Sequence, residues 1–465
     1  MPAGEPGAHP YIPNSVPEVQ QEMLRAVGAA SVEEFYADIP RELRVEGLLH
    51  LPAPLLSEAE LTRHVEGLLA RNTSTRDALS FLGAGCYQHQ VPAVCDEING
   101  RGEFLTAYAG EPYEDHGRFQ ALFEYQSLMG ELLDADVVNV PNYDGFQAAA
   151  TALRMACRLT GREAVLLPEQ LDPDKLSMVR NYLRPDVSMA QVPFLPESGL
   201  LDPDALRAML SDRVAAVYFE NPGYLGVLET GAEGLAAAAH SAGALAVVGV
   251  NPLSLGVVRP PAQYGADLAC GDIQSLGIHQ HYGGGHGGFI ASADDPRFVM
   301  EFPSRLFGIA PTIVEGEYGF GDVAYERTSF ARREEGKEWV GTAAGLWGIT
   351  AGVYLALMGP QGMKEIGEGL MQRCRYLMGR VAAIPGLRVP FAATPHFTEF
   401  VVTLDGTGRT AAQVNRALLE RGIFGGKDLS ADFPSLGQSL LLCVSEVHTG
   451  EDLDRLVDAL REVVR

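Results

Sequence analysis

The stretch that decides the fold is GADLACGDIQSLGIHQHYGGGHGGFIAS, residues 265–292. Its apolar run 266–270 predicts a short buried strand, and residues 289–292 predict a second. Between them the chain opens into a polar turn and then a glycine-dense loop. In an α/β sheet the loop beyond a strand's carboxyl end is where a ligand sits. This loop holds Gln274, Ser275 and three histidines, but no lysine.

Outward from that stretch the pattern alternates as an α/β sheet should. Residues 164–167, 188–192, 215–219 and 244–250 predict strands, and residues 173–183, 203–210 and 231–242 predict the helices between them. Connections of this length imply right-handed crossovers and a mainly parallel sheet. Upstream, Phe119, Leu122, Phe123, Gln126, Met129 and Leu133 form one apolar stripe at helical spacing, expected to be core. Tyr143-Asp144-Gly145 leads into a helix from Gln147, whose free N–H groups could receive a phosphate only if Asp144 acts as a cap.

The ends differ in character. Residues 1–85 predict a helical arm without a core of its own, with one helix at 16–27 capped by Ser15 and another entered at Ser57, where Glu60 fits a capping box. A further helix begins near Pro92, a good first helical position. Residues 86–335 make the large α/β domain. Residues 336–465 predict a small α+β domain: a helix after Pro360, an extended segment 397–404, a helix 411–421, a strand 439–444 and a last helix from Gly450. In that helix Leu453, Leu456, Val457, Leu460 and Val464 share a face.

A net charge of −25, with only four lysines, argues against nucleic acid or an anionic membrane as partner. The six cysteines are dispersed without a CxxC spacing, which fits a reducing, cytoplasmic setting. The N-terminus has no basic region followed by an apolar one, so no signal peptide is expected. Residues 340–363 carry no charge and are long enough to span a membrane, but their Gly, Ala and Thr content predicts a buried helix instead.

The motifs Gly271-Asp272-Ile273-Gln274-Ser275-Leu276-Gly277, the following loop Gly283 to Phe289, Asn251-Pro252-Leu253-Ser254-Leu255-Gly256 and the SFLGAGCYQHQVP opening at 80–92 occur in one order. Together they resemble the first subunit of the glycine-cleavage P-protein, which many bacteria split in two. Glu220-Asn221-Pro222-Gly223-Tyr224-Leu225-Gly226 is similar to that family's Gln-Asn-Pro-Asn-Phe-Leu-Gly, although a plain turn explains it equally well.

The resemblance implies the aspartate-aminotransferase type of fold (fold type I) that pyridoxal phosphate enzymes use. It places Ser275 where the Schiff-base lysine would stand, and a hydroxyl cannot form an imine. It places Asn251 where a carboxylate would hold the pyridine nitrogen protonated, and an amide is neutral. The chain is therefore expected to bind no cofactor and to have no catalytic residue of its own. A second, pyridoxal phosphate-bearing P-protein subunit would complete an α2β2 heterotetramer, decarboxylate glycine and pass the aminomethyl group to a lipoyl carrier protein. Tyr108, Tyr143, Asn221, Gln274, Ser275 and His286 are the expected walls of the partner's site.

Two stretches depart from the family. The tyrosine-rich segment after Tyr108 changes, apparently by one deletion, into Ala109-Gly110-Glu111-Pro112-Tyr113-Glu114, and the arm near residues 322–342 lacks its usual motif. These changes leave open a diverged paralogue acting on another small amino acid, and also a pure assembly partner. Lys337 is the only lysine near a plausible functional loop; its run Arg332 to Glu338 reads as a solvated, internally paired surface rather than a Schiff-base site. His279, His281 and His286 invite a metal, yet no carboxylate or cysteine completes the set, and loop histidines are expected. His89 is expected to make a local hydrogen bond.

Overall fold

The computed structural model describes residues 11, 15–45, 47, 49–105, 116–337, 340 and 343–465. The chain divides into two units, Met1–Thr73 and Ser74–Arg465. The first contains helices α1 (Pro17–Ala26) and α2 (Glu58–Leu69), and none of its described residues is buried. Ser57 caps α2 by accepting from the Glu60 N–H at 3.1 Å. Ser15 does not cap α1: Val16 occupies the cap position, and Pro17, which has no N–H, leaves one donor fewer to satisfy.

The second unit is built on a seven-stranded sheet. Its strands are β2 (Val137–Val138), β3 (Ala164–Pro168), β4 (Ser188–Val192), β5 (Val214–Glu220), β6 (Leu245–Val250), β7 (Leu268–Asp272) and β8 (Gly288–Ser292), in the order β2-β8-β7-β6-β5-β3-β4. From β4 through β7 all neighbours are parallel. The crossovers carry α6 (Pro173–Leu183), α7 (Pro203–Met209) and α8 (Ala232–Ser241). β8 runs antiparallel to β7 because residues 273–287 contain only one short 3-10 turn, too little for a crossover. Strands β5 and β6 are buried nearly throughout, as expected for parallel strands covered on both faces.

Helix α5 (Gly145–Thr160) buries Ala148, Ala149, Ala150, Ala152 and Ala156 completely. Such small side chains let its backbone lie close to the sheet. The helical stripe expected around Met129 becomes α4 (His116–Leu133), with Leu122, Met129 and Leu133 in the core. Pro92 is the N-cap of α3 (Ala93–Asn99) rather than its first residue. Beyond β8 come single-turn helices α9 (Pro296–Val299) and α10 (Ser329–Arg332), and between them a hairpin of β9 (Phe307–Pro311) and β10 (Tyr318–Asp322).

Residues 345–363 of the uncharged stretch and the segment after Pro360 form one long element, α11 (Gly345–Ala382), broken where Gly359 takes φ +58° ahead of Pro360. Its glycines serve close packing: a side chain at Gly348 would press on Pro141, and one at Gly352 on Tyr125 of α4. No helix among the described residues is long and apolar enough to cross a membrane.

The C-terminal part pairs β11 (Glu399–Thr403), β14 (Ser439–Cys443) and β13 (Lys427–Asp428) into an antiparallel sheet. It is covered by α12 (Ala411–Leu419) and α13 (Gly450–Val463), which buries Leu453, Leu456, Val457 and Leu460. At roughly 1.5–3 kcal/mol for each buried side chain, that face alone fixes α13 in place. A short strand, β1 (Leu79–Ser80), runs parallel to β12 (Ile423–Phe424) and brings the following glycine turn up to β11.

The large and small parts meet closely at Gly226, which has φ +91° and no room for a side chain because a Cβ would be driven into the Glu399 carbonyl. Gly226→Ala is expected to cost about 3 kcal/mol or more, through combined clash and backbone strain. Denaturant unfolding measures it; an unchanged midpoint would mean that this turn does not pack on β11.

Candidate functional site

A cavity of about 100 Å³ lies at the carboxyl ends of β5, β6 and β7, bounded by the start of α5, the first turn of α6 and Thr398 and Glu399 of the C-terminal part. This is the place where parallel α/β sheets hold ligands. The residues of this chain have filled it with bonds to one another.

Ser275 and Asn251 come together here. The Ser275 hydroxyl donates to Asn251 Oδ1 at 3.3 Å, and the same oxygen accepts from the Leu253 N–H at 3.1 Å. Asn251 thus serves as the cap of a 3-10 turn, the role its side chain suits best. Gln274 is 2 % exposed and a structural clamp: its amide accepts from Tyr87 N and donates to the carbonyls of Tyr87 and Ile278, at 3.0–3.1 Å. It pins the glycine turn 83–87 to the loop after β7.

The start of α5 carries the clearest departure from a phosphate seat. Asp144 caps it, accepting from Gln147 N at 2.7 Å. Asp272, at the end of β7, accepts from Gly145 N at 2.9 Å with one oxygen and from Gln274 N at 2.8 Å with the other. Two carboxylates therefore occupy the positive end of this helix dipole, where a phosphate would otherwise bind. Gly145 is required for this approach, since a Cβ would lie 2.9 Å from Asp272.

His286 stands behind Asp272, 7 % exposed, with Nδ1 3.7 Å from the carboxylate and Nε2 3.2 Å from the Gln280 carbonyl and 3.8 Å from Cys86 Sγ. Burial opposes its charge, but the bonds to Asp272, Cys86 and Gln280 outweigh it and hold the imidazole up at about 10. The other two histidines go elsewhere: His279 meets Asp96 at 3.0 Å, and His281 stacks on Trp347 with ring centroids 5.0 Å apart. Among the described residues no group of His, Cys, Asp and Glu side chains could hold a metal ion. His89 reaches far in sequence, pairing with Glu446 at 2.8 Å.

The remaining candidates are spread out. Asn221 is buried, and its Oδ1 accepts from the Glu229 N–H at 3.0 Å. Tyr143 is 53 % exposed beside the start of α5. Tyr108 lies outside the described residues. Lys337 is not at the cavity; it pairs with Glu301 and is half exposed.

A different lysine is. Lys175, in the first turn of α6, lines the cavity and pairs with Glu220 at the end of β5, its ammonium 5.3 Å from the centre of the Phe146 ring. The Tyr218 hydroxyl donates to the same Glu220 oxygen at 2.8 Å. Gly249 makes the room, because a side chain there would collide with Tyr218 and Glu220. Burial works against the Lys175 charge, yet the attraction of Glu220 more than compensates and its pKa is raised. The expectation that Lys337 is the only lysine near a functional loop overlooks Lys175, whose place at the cavity depends on contacts distant in sequence.

Glu399 completes the wall. Burial, together with Asp172 and Glu220, pushes its carboxyl up to about 7 against the bonds it accepts from Ala84 N at 2.7 Å and the Tyr87 hydroxyl at 3.0 Å.

The residues present do not fit pyridoxal phosphate. The N-terminus of α5, where a phosphate would bind, is held by Asp144 and Asp272, and the two side chains expected at the imine and ring-nitrogen positions, Ser275 and Asn251, are a hydroxyl and an amide bonded to each other.

Fold and cavity together define a chain of fold type I whose cofactor pocket has been closed by its own side chains. The glycine cleavage system P-protein family model matches residues 9–460. Among curated proteins, the chain is 40% identical to the probable glycine dehydrogenase (decarboxylating) subunit 1 of Chlorobium limicola, covering 97% of this chain and 99% of the other. It is 36% identical to the protein of that name from Staphylothermus marinus, covering 98% of each. A crystal structure of glycine decarboxylase (P-protein) of the glycine cleavage system, in inhibitor-bound form, superposes with a TM-score of 0.84 at 36% identity, over 96% of this chain and 98% of that one. A sphingosine-1-phosphate lyase from Burkholderia pseudomallei, 16% identical with a TM-score of 0.65, shares the fold. The chain belongs to the glycine cleavage system P-protein family.

Two outcomes follow. Installing Ser275→Lys with Asn251→Asp is expected to leave the isolated chain colourless with pyridoxal phosphate, because Asp272 still occupies the helix terminus; a visible cofactor band in that double variant would refute the closed seat. Glu399, with its pKa raised from 4.5 to about 7 in the folded state, contributes stability that is fully present below pH 4.5 and lost as pH rises through 7. Glu399→Gln should therefore gain on the parent by up to about 3 kcal/mol across that window, measured as unfolding free energy against pH.

Proposed function

We propose that this chain is the non-catalytic subunit, without a Schiff-base lysine, of a glycine decarboxylase-type enzyme. A partner chain of similar fold supplies the Schiff-base lysine and pyridoxal phosphate, removes the carboxyl group of glycine as carbon dioxide and passes the aminomethyl group to a lipoyl carrier protein. The assembly is an α2β2 heterotetramer in the cytoplasm. The observation that carries this reading is the closed cofactor seat within a fold that matches the family end to end: Asp272 on Gly145, Ser275 on Asn251. The relatives' name, subunit 1, implies for them a second subunit.

The surface supports a partner as well. The β9–β10 hairpin packs Phe307 and Phe320 on Phe119 and Phe123 of α4 but exposes Ile309, Ile313, Val314 and Tyr318, apolar surface of the kind that marks an interaction site. Tyr143, exposed where α5 begins, is a wall of the partner's site, and Tyr108 and the loop about His286 complete it.

The test is reconstitution. The purified chain should be colourless with pyridoxal phosphate and inactive towards glycine, and activity should appear only on adding the partner. In the complex, Tyr143→Ala should lower turnover about tenfold or more without loss of co-elution. Cofactor bound covalently to this chain would defeat the reading, and unchanged turnover in Tyr143→Ala would reduce the chain to an assembly role.

A further inference from the structure

The closed cavity retains hydrogen-bonding capacity that the described residues leave unused. The Lys175 ammonium has three donors and gives one to Glu220. Glu220 accepts from both Lys175 and Tyr218 through Oε1, leaving Oε2 without a bond. Asp172 spends Oδ1 on the N–H groups of Asp174 and Lys175, while Oδ2 faces Gly85 of the cavity wall. Asn251 commits its oxygen and keeps its amide N–H groups free.

Thr398 is the independent sign. It is 4 % exposed and lines the cavity, yet its hydroxyl bonds to none of the described residues. That hydroxyl is reached by water, so it is a hydrogen-bonding group open to whatever occupies the cavity.

These unused groups are of both kinds. Lys175, Asn251 and Thr398 offer donors; Glu220 and Asp172 offer anionic acceptors. A lone anion entering the cavity would meet Asp172, Glu220 and Asp272, and a lone cation would find these carboxylates but leave the donors of Lys175 and Asn251 unmatched. A molecule carrying a carboxylate next to an ammonium meets complementary charge at each end. At about 100 Å³ the space is somewhat smaller than the roughly 150 Å³ cavity that holds benzene, which suits a molecule about the size of a free amino acid with a short side chain.

We propose that this cavity binds a small zwitterionic α-amino acid without covalent chemistry, its carboxylate on the donors headed by Lys175 and its ammonium on Glu220 and Asp172. The site belongs to this chain alone and stands whether or not a partner decarboxylates glycine.

Calorimetric titration and thermal melting of the full-length chain test it, using glycine, alanine and serine, with acetate, methylammonium and phenylalanine as controls. Saturable binding of a small amino acid with a Kd of about 10 mM or tighter is expected, with none from the singly charged controls or phenylalanine. Thr398→Val keeps the shape and should weaken binding about fivefold. Lys175→Met with Glu220→Gln removes both charges together, so no unpaired ion remains, and should weaken it about thirtyfold or more; circular dichroism confirms that both variants fold. The proposal fails if none of the three amino acids saturates below about 50 mM. It fails equally if acetate binds as well as glycine, or if Thr398→Val and the double variant both bind undiminished.

Discussion

The bond from the Gly145 N–H to the Asp272 carboxylate holds the centre of this molecule in its present state. Asp272 ends β7, Gly145 begins α5, and the same carboxylate anchors Gln274 N and faces His286. A helix terminus that attracts anions must find one somewhere. In a cofactor enzyme that anion is a phosphate; here it is a side chain covalently fixed to the fold and always present. Competition with such a group is unequal, because Asp272 needs no translational entropy to arrive.

The remaining differences are consistent with that substitution. Once the helix terminus is satisfied internally, neither an imine-forming amine nor a ring-nitrogen carboxylate has a ligand to act on, and Ser275 and Asn251 are free to bond each other. Gln274 then gains importance as a brace, since it links the turn at Tyr87 to the loop beyond β7 from within the protein. The scaffold needs such braces: the glycine turn 83–87 approaches Glu399 and Cys443 so closely that a side chain at Gly83 would collide with both.

Much of this architecture was legible in the chain. Apolar runs of four to seven residues separated by capped helices located β3, β5 and β6 within a residue or two, because parallel strands buried on both faces carry their signal in composition. The reversal of β8 was less visible, since direction depends on what lies between two strands rather than on the strands. Ser275 and Asn251 could be named because their chemistry differs from what a cofactor requires. Lys175 could not, for its meaning depends on Glu220, 45 residues away, and on the space left by Gly249. Asp272 was in plain view within the motif, but its reach to Gly145 is a tertiary fact that spacing does not encode.

The Lys175–Glu220 pair bears on what the cavity is for. If closure were the only requirement, leucine or phenylalanine in these positions would achieve it, and replacing a buried ion pair by apolar groups is often neutral or stabilising. The structure instead keeps a charged pair, supports it with Tyr218, lays the ammonium over Phe146 and leaves Gly249 bare to make room. Losing either charge alone would strand the other and cost about 3–5 kcal/mol, so the pair is locked in once formed. Such an arrangement is a poor plug and a well-made polar surface. The space beside it, bounded by the unbonded hydroxyl of Thr398, has the chemistry of a binding site for a small polar molecule.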